Sequence, residues 1–316
     1  MSARNKLMAL VLGLACASPA AALDILLTND DGYDHPNIRA LYRHLVEAGH
    51  NVHVAAPWKE QSGRGGAFLF GRETTAGQDD DPAYPNSHYL KTTDRQQCVS
   101  PACAGSLVEL DISATPVMSV LYGLKKVLPN PDLVISGPNV GNNIGYINHY
   151  SGTYNAAVAA LNSGVPSIAV SAFYLETDSE TVAQLTTGLV RALEQSRQPG
   201  QPLLPAGIGL NVNIPPLPDI KGWRITRVGT YVPYDTLYTE DLGPTNPKLA
   251  GKPGIGFVLG GKPGVGEENS EGTWVSQGHV TISPFRVGAD SPTAAELGWP
   301  ALDALPDLAR QQLQAE

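Results

Sequence analysis

The sequence predicts an α/β protein built on a Rossmann-like, doubly wound and mostly parallel sheet, and three observations carry that expectation. First, Leu23 to Thr28 is an apolar run of strand character, Ile38, Leu41, Tyr42, Leu45 and Val46 then recur at helical spacing, Gly49 supplies a stop, and Val52 to Ala56 is a second strand. Parallel strands need such a crossover, so this is a βαβ opening. Second, the alternation resumes further along: a helix over Thr115 to Leu128, a buried strand over Asp132 to Ser136, and an Ala-rich helix over Thr153 to Ser163 ended by Gly164. A strand over Ser167 to Ala172, an amphipathic helix over Thr181 to Gln195 and a strand over Gly207 to Ile214 follow. Third, the composition changes near Pro215. Gly and Pro crowd residues 243–266, strand patterns are confined to Trp223 to Val228 and Val280 to Ser283, and helical periodicity returns only over Ala294 to Leu313.

These patterns divide the chain into a leader over residues 1–22, an α/β core over 23–215 and an irregular C-terminal extension over 216–316. The extension holds a projecting arm and a terminal helix. Within the core, residues 71–113 are polar and turn-rich, include the acidic run Asp79 to Asp81, and are expected to form a solvated loop insertion. A projecting arm is suited to exchange between protomers, so a homodimer or homotetramer is expected.

The leader has the order of a secretory signal: basic Arg4 and Lys6, an apolar run from Leu7 to Ala15, and small residues up to Ala22. That run is too short to cross a bilayer, and no other segment is a candidate span. Cleavage after Ala22 would leave a periplasmic or secreted chain. Cys16 raises a lipoprotein alternative, which Gly13 disfavours where a bulky aliphatic residue is wanted. The net charge of −9 becomes −11 once Arg4 and Lys6 are lost, which argues against nucleic-acid polymers as partners. Cys98 and Cys103 would remain, and in an oxidising compartment a disulfide closing their short loop would contribute about 2 kcal/mol. Zinc binding by this pair lacks the second Cys or His pair that such sites need.

The candidate chemistry lies at predicted strand ends, where open parallel sheets bind ligands. Asn29-Asp30-Asp31-Gly32 ends the first strand with adjacent carboxylates; alone it also spells a tight turn, but a helix rather than a strand follows it. Three further loops follow strands: Ala56-Pro57 through Ser62-Gly63, Ser136 to Asn143, and Tyr150-Ser151-Gly152-Thr153 at the start of the Ala-rich helix. Gly and Asn let backbone amides approach a ligand, and a helix N-terminus suits an anion. Carboxylate, hydroxyl and amide oxygens are hard donors, matched to one divalent ion such as Mg²⁺ or Mn²⁺ rather than to zinc.

At these residues the chain resembles the SurE survival proteins, a family of metal-dependent nucleoside-monophosphate phosphatases. The likeness rests on Ile25 to Gly32 with Pro36 and Ile38, on Ala56, Pro57, Ser62 and Gly63, and on Ser136, Gly137, Asn139, Gly141 and Asn143. Tyr150 to Thr153, Asn211 to Pro215 and Gly278 to Pro284 complete it. The resemblance implies a Rossmann-like fold with an oligomerising C-terminal extension, and hydrolysis of nucleoside monophosphates or other small phosphate esters. It implies Asp30, Asp31, Ser62 and Asn139 as metal ligands and Gly141, Ser151, Gly152 and Thr153 around the phosphate, with Asn29 on the substrate side. Asp30 and Asp31 would be catalytic, with either a water or Asp30 itself attacking. His149, preferred over His35, would protonate the leaving alcohol.

The chain departs from the family at Met118, where an acid is common, at Ile144 to His149, where an Asp pair is common, and in the length of residues 71–113. These departures bear on substrate preference. The rivals are a nucleoside hydrolase, whose Asp-rich order is broken here by Asn29 and His35, and a periplasmic solute-binding protein, whose second α/β lobe is missing after Pro215.

Overall fold

The computed structural model describes residues 22–97, 102, 107–198 and 200–286. The leader up to residue 21, the Cys98 and Cys103 pair and the helix expected over Ala294 to Leu313 lie outside the described residues. In chain order the elements open with β1 (Asp24–Thr28), α1 (Pro36–Glu47), β2 (Asn51–Pro57), β3 (Thr74–Gln78), β4 (Ser87–Gln97) and β5 (Leu107–Ser113). There follow α2 (Pro116–Tyr122), β6 (Leu133–Val140), α3 (Gly152–Asn162), β7 (Ser167–Ala172), α4 (Ser179–Ser196) and β8 (Ile208–Ile214). The chain continues through β9 (Trp223–Ile225), β10 (Tyr234–Thr239), β11 (Gly254–Leu259), α5 (Glu271–Ser276) and β12 (Val280–Arg286).

One ten-stranded sheet runs β3-β4-β2-β1-β6-β7-β8-β12-β9, with β5 paired to β4, and β10 and β11 form a separate antiparallel pair. From β4 through β8 every neighbour is parallel, as the alternating pattern predicts. Residues along β1 alternate between the two faces. Ile25 and Leu27 pack with Leu41 and Leu45 of α1 and Val182, Leu189 and Leu193 of α4, while Leu26 packs with Val120 of α2 and Ala156 and Ala160 of α3. Every residue of β7 and β8 is buried, with Ile168, Val170, Leu210, Val212 and Ile214 in the apolar core while Asn211 and Asn213 alternate with them along β8 as buried polar residues. The order β2-β1-β6 reverses direction at β1, so the ends of β1 and β6 border the crevice where such sheets bind ligands.

Two stretches differ from expectation. Among the described residues of 74–113 most are strand rather than loop: β4 joins the core sheet beside β2, with β3 and β5 antiparallel to it. The acidic run is not simply solvated either, because Arg39 of α1 donates to Asp79 at 2.6 Å. Beyond Pro215, β12 and β9 extend the same sheet from β8 instead of building a detached layer. The 243–266 stretch supplies the turn and return strand of the β10–β11 pair.

Met118, the position where an acid is common in the resembled family, packs in a buried cluster with Leu90 and Ala114, against Leu69 and Tyr122. Apart from the Tyr122 hydroxyl, the side chains of that cluster are apolar. Met118→Asp is expected to cost about 2–4 kcal/mol, read as the shift of a urea unfolding midpoint. A cost below about 1 kcal/mol would mean that the cluster opens to solvent.

Candidate active site

Each loop singled out in the sequence converges at the ends of β1, β2 and β6. Asn29 is fully buried and clips the turn after β1: its Nδ2 donates to the Gly32 carbonyl at 2.8 Å and its Oδ1 accepts from the Gly32 N–H at 3.2 Å. Gly32 sits at φ +109°, a conformation that favours glycine, and this reversal presents Asp30 and Asp31 side by side. Both polar ends of Asn29 are spent on the turn, so it shapes the acidic pair instead of standing on the substrate side as expected.

Asp30 is buried and Asp31 half-buried. Thr153 Oγ1 donates to Asp30 Oδ1 at 2.6 Å, and the Val140 N–H points at Asp31 Oδ2 at 3.4 Å. Burial drives both carboxyls well above the ordinary range; the charge of Asp31 raises Asp30 further, and Glu60 raises both. The Thr153 and Val140 donors oppose this without reversing it. Two like charges held in a low-dielectric corner are a costly arrangement, and a cation relieves it.

Asn139 supplies the second indication. The β6–β7 register slips between Ser136 and Asn139, which re-aims the end of β6. Gly137 within this irregularity has φ +116°, and a Cβ there would lie 2.2 Å from the Val170 carbonyl oxygen. Asn139 Nδ2 donates to the Gly141 carbonyl at 2.6 Å, leaving Oδ1 buried with no hydrogen-bond partner. A buried acceptor held without a donor, beside two carboxylates, fits a bound cation. Among the described residues no group of three or more His, Cys, Asp or Glu is arranged to hold a metal, so a site here draws on neutral oxygens.

Ser62 is exposed on the loop after β2, and its N–H donates to the Glu60 carboxylate. The loop is fastened to the acidic turn by Gln61 N–H, which donates to the Asp30 carbonyl at 2.6 Å. Gly141 differs from expectation. Its N–H donates to the Ala172 carbonyl at 2.8 Å, so this amide serves the fold and does not face a phosphate.

The start of α3 lies against the acidic turn. Ser151 caps the helix, its Oγ accepting from the Tyr154 N–H at 3.0 Å. The N–H groups of Gly152 and Thr153 open the helix, where no intrahelical acceptor exists for them. A Cβ on Gly152 would lie 2.8 Å from Asp30 Cβ and 2.8 Å from Pro116 Cγ, so only glycine lets the helix start approach this closely.

Of the two histidines in these loops, His149 is exposed and ends a 3₁₀ turn over Gly145–His149. His35 caps α1 through Nδ1, which accepts from the Asn37 N–H at 3.3 Å. Burial lowers its pKa, partly offset by the charges of Asp34 and Asp30.

Several contributors were not marked in the sequence. Asn37 donates to the Pro138 carbonyl at 3.2 Å and so holds the bend before Asn139. Glu271 of α5 is fully buried, and burial raises its pKa to about 7 although four donors surround it. A glutamate in the first turn of a helix ordinarily faces water, so no local pattern marks it.

The fold and site together define a Rossmann-type protein with a carboxylate pair set against a helix N-terminus. The chain belongs to the SurE family: the family model described as survival protein SurE matches residues 25–233. The chain is 33% identical over 279 residues to the 5'-nucleotidase SurE of Desulfitobacterium hafniense (strain DSM 10664 / DCB-2), covering 83% of this chain and 90% of that protein. It is 32% identical over 285 residues to the 5'/3'-nucleotidase SurE of Cronobacter sakazakii, covering 86% and 94%. The crystal structure of the SurE protein from Aquifex aeolicus superposes with a TM-score of 0.62 at 28% identity, covering 84% of this chain and 94% of that one.

Proposed function

We propose that this protein is a metal-dependent phosphomonoesterase that hydrolyses nucleoside monophosphates to nucleoside and phosphate. The observation that carries this reading is the 2.6 Å hydrogen bond from Thr153 to Asp30, which joins an anion-binding helix start to a carboxylate pair. The relatives' names as 5'- and 5'/3'-nucleotidases support it.

Asp30, Asp31, Ser62 and Asn139 would hold one divalent ion, Mg²⁺ or Mn²⁺, which when bound supplies Lewis-acid polarisation of the phosphoryl oxygens. The amides of Gly152 and Thr153 offset the charge on the phosphoryl group, at the positive end of the α3 dipole. Thr153 fixes the rotamer of Asp30, and His149, at the rim of the same loop, delivers the proton to the leaving alcohol. Export through the basic and apolar leader, with a periplasmic or secreted destination, belongs to the same proposal. So does assembly as a homo-oligomer, which exposed Leu237 and Tyr238 on β10 and Ile255 on β11 support.

The test is incubation of the purified protein with AMP and separately with adenosine. With Mg²⁺ or Mn²⁺, inorganic phosphate is expected from AMP, and EDTA is expected to stop its release. Base released from adenosine would point to a nucleoside hydrolase. Binding of nucleotides without turnover would point to a solute-binding protein.

A further inference from the structure

Glu271 comes from the region beyond Pro215, yet its carboxylate sits directly beneath the loop that leads into α3. Its Oε1 accepts from the Gly145 N–H at 3.0 Å and from Asn148 Nδ2 at 2.9 Å. Its Oε2 accepts from Asn211 Nδ2 at 2.9 Å, and the Ser283 hydroxyl donates to the carboxylate as well. One side chain therefore grips both ends of the 3₁₀ turn, from its first amide to the Asn148 side chain.

That turn in turn holds the cap of α3. The Ile147 carbonyl accepts from the N–H groups of Tyr150 at 2.8 Å and Ser151 at 3.1 Å, and the Asn148 carbonyl accepts from Asn155 Nδ2 at 3.0 Å. Upstream, the Asn143 carbonyl is held by Asn211 Nδ2 at 2.9 Å and Asn213 Nδ2 at 2.9 Å, and Asn213 Oδ1 accepts from the Asn143 N–H at 2.9 Å. Close backbone packing seals the arrangement. A Cβ on Gly145 would lie 2.7 Å from the Tyr231 carbonyl oxygen, and one on Gly272 would lie 2.2 Å from the same atom. Ile144 and Ile147 pack there against Val232 and Val275.

Four converging donors need an acceptor with several lone pairs on two oxygens, which an apolar side chain or a single amide oxygen does not offer. Holding a carboxylate without solvent costs free energy that a purely structural contact could avoid with apolar packing. We propose that Glu271 is a positioning residue for phosphate binding: it fixes the 145–148 turn, and through it Ser151 and the open amides of Gly152 and Thr153. None of its contacts reaches Asp30, Asp31, Ser62 or Asn139, so its effect on metal binding, passed only through Thr153, is expected to be smaller than its effect on phosphate binding. The inference rests on the reading of the α3 start as the phosphate site.

The test compares Glu271→Gln and Asn148→Ala with the wild-type protein. It measures inhibition of p-nitrophenyl phosphate hydrolysis by inorganic phosphate, and Mn²⁺ binding by thermal titration. Glu271→Gln is expected to weaken phosphate inhibition and raise KM by about 10-fold or more while leaving the Mn²⁺ midpoint within about 3-fold of wild type. Asn148→Ala should shift the same two constants in the same direction, and the double variant should be no worse than the more severe single one. Unchanged phosphate inhibition in a folded variant would overturn the proposal, and so would equal losses of phosphate and Mn²⁺ binding. If Glu271→Gln fails to fold, Asn148→Ala alone decides by the same two readouts. Failure of the underlying reading looks different, because the wild-type protein itself would then hydrolyse no ester and bind no phosphate.

Discussion

Asp30→Asn and Asp31→Asn each abolish phosphate release and, at the same time, make the metal-free protein more stable at pH 8. Both carboxyls have folded-state pKa values raised above their unfolded values, chiefly by burial. A raised acid pKa means the native state holds its proton more tightly than the unfolded chain. Stability from such a group is complete below the unfolded value near pH 4 and is lost as pH rises through the raised folded values. The metal-free wild type should therefore melt at progressively lower temperature between about pH 4 and 8. Glu271, raised to about 7, adds a slope of the same sign that both variants keep. Mn²⁺ should recover the loss in the wild type, because the cation replaces the missing protons.

Asparagine removes one buried charge, so the metal-free melting temperature at pH 8 rises while the Mn²⁺-dependent shift disappears. The activity loss should be roughly 10³-fold or more, since several kcal/mol of charge stabilisation are withdrawn at about 1.4 kcal/mol per tenfold. Melting curves with and without Mn²⁺, beside a phosphate-release assay, check both halves. A variant that keeps the wild-type Mn²⁺ shift would remove Asp30 and Asp31 from the metal site.

Much of the core was legible because burial imposes a period on sequence. The β1 run, the helical spacing of Ile38, Leu41 and Leu45, and the apolar positions Ile168, Val170, Leu210, Val212 and Ile214 of β7 and β8 each reflect contact with a helix layer. β3 was not legible: its residues are mostly exposed, so Thr74 to Gln78 carries no apolar alternation to distinguish a strand from a loop. α5 spans six residues, too few for a helical period to show. In the site, Asp30, Asn139 and the Ser151 to Thr153 start were visible because each lies within two residues of a glycine at a strand or helix end. The use of each backbone amide was not visible. Gly141 looks like an open amide in sequence, and only the β6–β7 register shows its N–H committed to Ala172. Glu271 meets Gly145 and Asn148 across 126 and 123 residues, a separation that carries no local signature.

Gly152→Ala should inactivate the protein while leaving it folded, and this result bears most directly on how the two halves of the site are joined. Glycine is costly at a helix start when nothing demands it, and Ser151 already supplies the cap. In an isolated helix the substitution would be neutral or stabilising. Here the added methyl would meet Asp30 Cβ and Pro116 Cγ at 2.8 Å each, with Asp30 Oδ2 at 3.1 Å. Neither carbon at 2.8 Å lies at the free end of a flexible side chain: Asp30 Cβ is fixed to β1's turn and Pro116 opens α2. Relief therefore requires the α3 start to withdraw from the acidic pair by several tenths of an ångström, which lengthens the Thr153–Asp30 hydrogen bond. Overpacking of this kind costs about 1–3 kcal/mol of stability. Misplacing catalytic groups by that order costs roughly 10²-fold in rate. The two effects separate in measurement: kcat/KM for AMP should fall about 100-fold, while a urea unfolding midpoint moves modestly and Mn²⁺ still stabilises the variant. If Gly152→Ala keeps full activity, the helix start and the carboxylate pair do not act as one site.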